Sequence, residues 1–260
     1  MGRVAIITGG AQGLGAAIAR SFLAHDFTGC VLVDRNADGL ATVQAALGKD
    51  KCAVLAADLT AAATPKAAVD LAVKSFGRVD VLVNAAGNTE RWSIDEVTPE
   101  AFDKMFDVNV KAATFMMQAA AKEMRKAGGG VVINIASMLS YGGPPNLGVY
   151  AASKAALVVL SRNAANAWKR EGIRVFAVNL GWVATDGEHR LQTTFHKMPE
   201  NWAEVIGKRM PFGRLQKAED VAGLCQFLVS PPAQMMTGAV IDYEQMPTGV
   251  FDSHPALAPE

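Results

Sequence analysis

Short apolar runs rich in β-branched residues alternate along the chain with longer, alanine-rich stretches of helical period. Continuous apolar strands are typical of a parallel sheet that helices cover on both faces. The alternation predicts an α/β fold: a single doubly wound domain over residues 1–260, with a seven-stranded, mainly parallel sheet and helices on both faces. The predicted strands are residues 3–7, 29–33, 52–56, 79–83, 130–136, 173–179 and 238–242. The predicted helices are residues 13–25, 38–47, 65–76, 101–126, 148–171 and 217–229.

Composition narrows the class of protein. Of the 260 residues, 50% are hydrophobic and 19% are charged, so the chain can bury a core and is not a disordered protein. Its 25 Lys and Arg balance 25 Asp and Glu, which predicts no nucleic-acid partner. No apolar run reaches the roughly 18 residues of a membrane span, and the first run is too short for a signal peptide. We therefore expect a cytoplasmic protein without membrane contact.

The sequence predicts no metal site. Cys30, Cys52 and Cys225 lie far apart in apolar segments without a C-x-x-C pair, which is typical of buried free thiols in a reducing compartment. His189 and His196 have no H-E-x-x-H or C-x-x-C context, so we assign them no metal.

Residues 183–212 carry polar and aromatic side chains without a strand pattern. Loops that follow sheet strands border the ligand crevice, which favours a substrate lid here. The alternative is a surface excursion with one or two short helices. After Gln245, the residues Pro247, Pro255 and Pro259 exclude a regular helix, and this tail either frays or docks on a neighbouring subunit.

A glycine-rich turn follows the first predicted strand and opens an alanine-rich helix. Gly9 permits a tight turn, Gly13 lets the backbone approach a pyrophosphate, and Gly15 lets helix and strand pack closely. The helix N-terminus offers N–H groups and a positive dipole end to phosphates, with Gln12 and Leu14 beside the glycines. The spacing G-x-x-x-G-x-G departs from the general dinucleotide fingerprint, and an ordinary βα loop is the alternative.

A carboxylate ends the second predicted strand. Asp34 lies about 20 residues beyond the glycines, where a ribose 2′-hydroxyl needs an acceptor. The same carboxylate repels a 2′-phosphate, whereas Arg35 either attracts one or stacks on adenine. We therefore expect NAD as the cofactor, with NADP the less favoured alternative.

The next two strand ends reach the same crevice. Asp58 is placed to accept a hydrogen bond from the adenine amino group, and Gly87 to bring backbone close to the nicotinamide ribose. The alternative for both is that they are ordinary turn residues, since polar residues and glycine are common in turns after strands. The cofactor contacts expected at these ends are Asp58, Leu59, Asn84, Ala86 and Gly87.

Tyr150 and Lys154 are four residues apart in a predicted helix and therefore share one face. A positive charge beside a tyrosine lowers a phenol pKa of about 10 toward the range of a general base. Ser137 ends a predicted strand and offers a hydroxyl to a substrate oxygen, and Asn109 is a candidate buried amide. The alternatives are an exposed helical pair and an amide that satisfies backbone carbonyls.

Together these residues resemble the short-chain dehydrogenase/reductase family over residues 3–242. The resemblance implies a Rossmann-type sheet in the order 3-2-1-4-5-6-7 and a reversible hydride transfer between a carbinol or carbonyl and nicotinamide. It also implies a homotetramer, with which the apolar helices 101–126 and 148–171 agree. The matching motifs are Thr8-Gly9-x-x-x-Gly13-x-Gly15, Asn84-Ala85-Ala86-Gly87, Asn109, Ser137, Tyr150-x-x-x-Lys154 and Asn179-Leu180-Gly181.

The resemblance assigns roles to the catalytic candidates. Tyr150 takes the hydroxyl proton as hydride leaves, and Ser137 steadies the developing oxyanion. Lys154 binds the nicotinamide ribose and lowers the pKa of Tyr150, and Asn109 holds a water in a proton relay. The residues expected around the carboxamide are Gly181, Val183 and Thr185.

Two positions depart from the family pattern. Leu180 replaces the proline usual before Gly181, so this loop is expected to be less rigid. Ala85 replaces the second asparagine of the N-N-A-G form. Neither change removes a catalytic group.

Substrate specificity is expected from residues 89–92, residues 139–147 and the lid. Their aromatic walls and charged side chains suit a sugar or polyol, unless the lid charges face solvent. Two other functions stay open: an NADPH-dependent 3-oxoacyl-type ketoreductase and a non-catalytic dinucleotide-binding regulatory subunit. Asp34 argues against the first, and the retained Tyr150 and Lys154 against the second. The residues expected to contact substrate are Ser137, Tyr150, Trp92 and Trp182.

Overall fold

A parallel sheet forms the centre of the protein, for which a computed structural model describes residues 2–248. The strands in that range are β1 (Arg3–Thr8), β2 (Phe27–Asp34), β3 (Cys52–Ala56), β4 (Val81–Asn84), β5 (Gly130–Ser137), β6 (Ile173–Leu180), β7 (Val183–Ala184), β8 (Gln216–Lys217) and β9 (Val240–Tyr243). Seven of them pair in the order β3-β2-β1-β4-β5-β6-β9, and every pair is parallel. The predicted doubly wound, Rossmann-type sheet and its strand order are confirmed. The expectation for the tail after Gln245 concerns mainly residues 249–260, which lie outside the described residues.

Helices cover both faces of the sheet. Those between residues 2 and 248 are α1 (Gly13–Leu23), α2 (Ala37–Leu47), α3 (Thr64–Phe76), α4 (Pro99–Phe106), α5 (Ala113–Lys126), α6 (Gly148–Trp168), α7 (Asp186–Arg190), α8 (Trp202–Gly207) and α9 (Ala218–Val229). Alternate residues of β1 supply two cores: Ala5 and Ile7 pack with α1, α2 and α9, whereas Val4 and Ile6 pack with α3, α5 and α6. Because both faces are buried, the strand sequences are predominantly apolar on both faces.

The predicted helix over residues 101–126 is interrupted. A π-helical turn, Asp107–Ala112, separates α4 from α5, so the prediction of one regular helix is wrong there. Apolar residues recur at helical spacing through the turn, so the pattern of apolar residues does not distinguish one π-helical turn from a regular α-helix. Such turns are frequent at functional sites, and this one contains Asn109.

The segment over residues 183–212 is packed. It begins with β7, which pairs in parallel with β8, so the expectation that the segment lacks a strand is wrong. Its short helices α7 and α8 match the alternative interpretation of the sequence. Trp202 is fully buried and stacks on Trp182, with 5.4 Å between the ring centres. The segment is therefore anchored by aromatic packing, and its role as a lid stays a prediction.

Residues 2–248 can also be searched for membrane-spanning helices, metal-ligand groups and disulfides. No helix in that range combines the length and apolarity needed to cross a membrane. The same range contains no group of three His, Cys, Asp or Glu side chains that could hold a metal ion. Cys30, Cys52 and Cys225 are buried free thiols, and burial raises the pKa of Cys225 to about 12.

Gly15 is the glycine of the turn with the least room. A Cβ at this position would lie 2.3 Å from the carbonyl oxygen of Gly9, so the close contact is with the turn itself, not with the strand behind the helix. We expect Gly15→Ala to lower the free energy of unfolding by about 1–3 kcal/mol in urea denaturation, because backbone cannot move aside. Gly223→Ala is the matched control, since Gly223 lies exposed in α9 with open space at its Cβ position. Equal losses in both variants would contradict this account.

Candidate active site

Lys154 projects from α6 into the interior and is only 4% exposed. Its Nζ donates a hydrogen bond to the backbone oxygen of Ile135 in β5 at 2.8 Å. The same Nζ lies 5.7 Å from the centre of the Tyr150 ring. The two side chains therefore meet beside the C-terminal end of β5, and an exposed helical pair is excluded.

Burial shifts the protonation of both groups. It lowers the pKa of Lys154 to about 8. It also raises the pKa of Tyr150 above its ordinary value; the Ser137 hydroxyl acts in the opposite direction, and the negative charge of Glu188 adds to the rise. Burial is the largest of these influences, so the net shift of the Tyr150 pKa is upward, and the expected lowering of this pKa by Lys154 stays a prediction.

Asn109 is held by bonds on both sides of its amide. Its Oδ1 accepts from the backbone N–H of Asn88 at 2.7 Å, and its Nδ2 donates to the backbone oxygen of Asn88 at 2.9 Å. Nδ2 also donates to Oγ of Ser153 at 2.9 Å, and that hydroxyl donates to the backbone oxygen of Tyr150 at 2.7 Å. The π-helical turn thus ties the loop after β4 to the first turn of α6.

Ser153 is a site residue that the sequence interpretation missed. It is fully buried and lies between Tyr150 and Lys154 in sequence, three residues after the tyrosine. That spacing places it on the inner face of α6, which is the signal that could have identified it. Gly87 completes this corner, because a Cβ there would lie 3.5 Å from both Asn109 Oδ1 and Lys154 Nζ.

Ser137 ends β5 next to this corner and is 8% exposed. Its Oγ accepts the backbone N–H of Leu139 at 3.2 Å, which fixes the start of the following 3₁₀ turn. The hydroxyl also lowers the pKa of the Tyr150 phenol, so the two side chains face the same corner. The structure therefore brings together all four predicted catalytic residues, Asn109, Ser137, Tyr150 and Lys154.

The glycine turn has the shape of a phosphate cradle. Gly9 and Gly13 have positive φ values of 70° and 52°. A Cβ on Gly9 would lie 2.9 Å from the backbone nitrogen of Ala86, so this turn packs against the end of β4. Gln12 is the N-cap residue of α1 and makes no side-chain cap, and Leu14 packs against the core at the start of that helix. The first N–H groups of α1 are therefore left for a ligand, and the turn fits a dinucleotide.

Two carboxylates lie at the C-terminal ends of β2 and β3, where the sequence predicts the adenosine of the cofactor. Asp34 accepts the backbone N–H of Ala11 at 3.3 Å and that of Asn36 at 3.0 Å, which fixes its carboxylate beside the glycine turn. Asp58 accepts from both the N–H and the hydroxyl of Thr60 at 2.8 Å, and these bonds lower its pKa. The charge of Arg35 contributes to that lowering, so Arg35 lies on the same side.

The end of β4 differs from the expectation at one residue. The Asn84 amide turns into the core, where Nδ2 donates to Asn134 Oδ1 at 2.8 Å and to the backbone oxygen of Ala113. Its side chain is therefore unavailable to a cofactor, and this assignment is wrong for the side chain. The backbone N–H groups of Ala85 and Ala86 donate instead to the hydroxyl of Thr8, at 3.1 and 3.2 Å. Leu59, after β3, packs its side chain against the core.

The loop after β6 is fixed by β9 in place of the missing proline. The N–H of Gly181 donates to the backbone oxygen of Tyr243 at 3.2 Å, and a Cβ on Gly181 would collide with the Glu244 carboxylate. Val183 lies in β7. The Thr185 hydroxyl caps α7, and its side chain lies 3.5 Å from the Cβ position of Gly13. These contacts hold the loop against β9, and its lower rigidity at Leu180 stays a prediction.

A polar cluster surrounds Glu188 on α7. Its Oε1 accepts Trp182 Nε1 at 2.9 Å and Gln192 Nε2 at 2.7 Å, and lies 3.8 Å from a guanidinium nitrogen of Arg91. Gln192 is only 3% exposed. The sequence interpretation did not identify it, because a polar side chain in a segment without a regular apolar pattern gives no sign of burial. Trp92 is placed by its backbone N–H, which donates to the backbone oxygen of Asn146 at 3.0 Å.

Comparison with known proteins agrees with this geometry. A family model described as "Enoyl-(Acyl carrier protein) reductase", of the short-chain alcohol dehydrogenase type, matches residues 9–244. The chain belongs to the short-chain dehydrogenase/reductase family.

Several members of the family can be compared along nearly their whole length. The chain is 35% identical to the sorbitol dehydrogenase of Cereibacter sphaeroides, over 89% of this chain and 92% of the relative. It is 34% identical to the D-threitol dehydrogenase of Mycolicibacterium smegmatis, over 93% and 92%. It superposes on the L-sorbose reductase of Gluconobacter frateurii, solved with NADPH and L-sorbose, with a TM-score of 0.86, 27% identity and coverage of 94% and 95%. The chain is therefore an oxidoreductase of the short-chain dehydrogenase/reductase family.

The buried lysine makes stability depend on pH. An unfolded lysine keeps its ordinary pKa of 10.5, whereas that of folded Lys154 is about 8, so between these values the unfolded state holds more protons. The contribution of Lys154 therefore becomes more favourable as pH rises from about 8 to 10.5, by up to about 3 kcal/mol. We expect the stability of the wild type relative to Lys154→Met to increase over this range, as measured by urea denaturation at each pH. A difference that stays constant would contradict the low pKa.

Removal of the Glu188 charge should move the pH profile. Because this charge raises the pKa of Tyr150, Glu188→Gln should shift the rising limb of oxidation, measured as kcat/KM against pH, to lower pH. Glu204→Gln is the control, since Glu204 lies on α8 and pairs with Lys208 on the surface. An unchanged midpoint in Glu188→Gln would show that its carboxylate does not act on the phenol.

Proposed function

We propose that this protein is an NAD-dependent dehydrogenase that transfers a hydride between nicotinamide and a secondary carbinol of a sugar or polyol. The observation that carries the proposal is the convergence of Asn109, Ser137, Tyr150 and Lys154 on one corner at the C-terminal ends of β4 and β5. Members of the same family act on sorbitol and on D-threitol, which supports the substrate class.

The chain supplies proton handling and charge stabilisation. Tyr150 takes the hydroxyl proton of the substrate, and Ser137 donates to the oxygen on which negative charge develops. Lys154 and Asn109 line the corner beside Gly87, where ribose hydroxyls would meet the ammonium and the amide. The bound nicotinamide supplies the hydride acceptor at its C4 position. Its carboxamide would lie near Gly181, Val183 and Thr185.

The choice of NAD rests on Asp34. Its carboxylate is fixed by two backbone N–H groups at the end of β2, so it cannot swing away from the ribose 2′ position. A fixed negative charge there disfavours a 2′-phosphate. Arg35 and the NADPH-bound structure of a relative keep NADP as the second candidate. With NADPH, the competing function is a 3-oxoacyl-type ketoreductase.

The substrate class is also supported by the Glu188 cluster. Among the described residues Glu188 Oε2 has no hydrogen-bond partner, and the buried Nε of Arg91 has none either. The two side chains approach each other to 3.8 Å, and an acceptor and a donor on neighbouring side chains are what a hydroxyl group needs, because it donates one bond and accepts another. A wholly apolar substrate would leave both groups unsatisfied, at a cost of about 1–3 kcal/mol each. Trp92 and Trp182 would form apolar walls of the same pocket.

Three further assignments belong to this proposal. Residues 183–212 act as the substrate lid. A homotetramer is supported by exposed apolar side chains on α5 and α6, Phe115 at 47% and Val159 at 57% exposure. We place the protein in the cytoplasm, where its three buried free thiols stay reduced.

The test follows nicotinamide absorbance with purified protein. Sorbitol, threitol and galactitol are offered with NAD and with NADP, beside simple secondary alcohols and a 3-oxoacyl substrate. We expect turnover of a polyol with NAD, and a loss of about 10²- to 10⁴-fold in Tyr150→Phe, because the proton acceptor is removed. Tyr243→Phe is the matched control, since the Tyr243 hydroxyl donates to the backbone of Asp220, away from the catalytic corner.

Each other outcome would indicate a different function or mechanism for this protein. Turnover only of the 3-oxoacyl substrate with NADPH would replace this proposal by the ketoreductase. Tight NADH binding without turnover of any substrate would indicate a non-catalytic binding subunit. Undiminished turnover in Tyr150→Phe would exclude the phenol as the base.

A further inference from the structure

Arg190 reaches from the lid to the glycine turn. It is the last residue of α7, and one of its terminal guanidinium nitrogens donates to Oε1 of Gln12, the N-cap residue of α1. Two contacts support this approach: Thr185 packs 3.5 Å from the Cβ position of Gly13, and Gln12 Nε2 lies 3.4 Å from that of Gly187. The start of the lid therefore lies over the N-terminus of α1.

The guanidinium of Arg190 and the positive dipole end of α1 lie close together, and no carboxylate of the described residues pairs with the guanidinium. The N-terminus of α1 has no acidic residue in its first turn and no side-chain cap. Among residues 2–248 Arg190 forms no ion pair, although eleven other pairs within 4.0 Å occur in that range. A guanidinium beside the positive end of a helix dipole is unfavourable unless an anion joins them. A neutral amide oxygen is a weak substitute for one.

We propose that Arg190 is a ligand for the pyrophosphate of the cofactor, carried by the lid, and that it exchanges Gln12 for a phosphate oxygen when the cofactor binds. This inference rests on the dinucleotide site of the proposed function. It adds a cation that the glycine turn itself does not contain, and it connects the position of α7 to the cofactor. Glu188 lies two residues earlier on the same helix, so the cofactor would also position the polar cluster on the substrate side.

The test measures binding, so it does not depend on knowing the substrate. NADH and ADP-ribose are titrated into the wild type, Arg190→Met, Arg190→Lys and Arg209→Met by calorimetry, at low and high salt. Arg209 is the matched control, because it is an exposed arginine of the same segment that makes no hydrogen bond to the glycine turn. ADP-ribose contains the pyrophosphate but neither nicotinamide nor a 2′-phosphate.

We expect the Kd of both ligands to rise about tenfold or more in Arg190→Met, since one charge-assisted hydrogen bond is lost. Arg190→Lys should recover part of this loss, and Arg209→Met should stay within about twofold of the wild type. The salt dependence of the Kd should also be weaker in Arg190→Met, which a purely structural role of the side chain would not produce.

Several results would overturn the inference. Binding of both ligands by Arg190→Met within twofold of Arg209→Met would exclude a contact with the pyrophosphate. A loss for NADH that ADP-ribose does not share would assign Arg190 to the nicotinamide half of the cofactor. Failure of the wild type to bind either ligand would reject the proposed cofactor itself, and with it this role of Arg190; that result is distinct from normal binding by the variant.

Discussion

The ammonium of Lys154 is the group around which the catalytic corner is arranged. Removing a cation from water is unfavourable unless oxygen atoms surround it, and the backbone oxygen of Ile135 at 2.8 Å is the contact that β5 offers. Gly87 leaves space beside Nζ, because a Cβ there would already be in van der Waals contact with the lysine at 3.5 Å. Burial lowers the pKa of Lys154, so its protonated form is stabilised further when hydroxyl or phenolate oxygens approach Nζ.

The corner is held together by bonds that cross between elements. Asn109 on the π-helical turn joins the Asn88 backbone to Ser153, and Ser153 joins the Tyr150 backbone. Three separate parts of the chain therefore share one buried polar network, in which each bond constrains the next. Thr8 performs a similar task on the cofactor side, because its hydroxyl fixes the turn after β4.

The features of this structure that depend on neighbouring residues in the sequence could be predicted from the sequence. The apolar runs identify the seven strands of the main sheet, and the glycine spacing and the Tyr150 to Lys154 interval identify the site, because burial and helical periodicity act over a few residues. The π-helical turn, the inward rotation of Asn84 and the burial of Gln192 depend on packing or on partners distant in sequence. Asn84, for example, bonds to Asn134, which is 50 residues away. No periodicity records such contacts. The net upward shift of the Tyr150 pKa belongs to the same class, since desolvation is a property of the assembled site.

The short pairing of β7 with β8 has a consequence for how such proteins diverge. Val183 and Ala184 pair with Gln216 and Lys217 in a small two-stranded sheet of their own, so the segment between them begins and ends at nearly the same point. An excursion closed at its base can change in length or composition without altering the distance that its ends must bridge. The segment is therefore exchangeable as a cassette between relatives, while the sheet and its glycine turn stay unchanged. A cassette taken from another member would also bring its own residue to the position of Arg190, so grafting for a new substrate would alter affinity for the nucleotide at the same time.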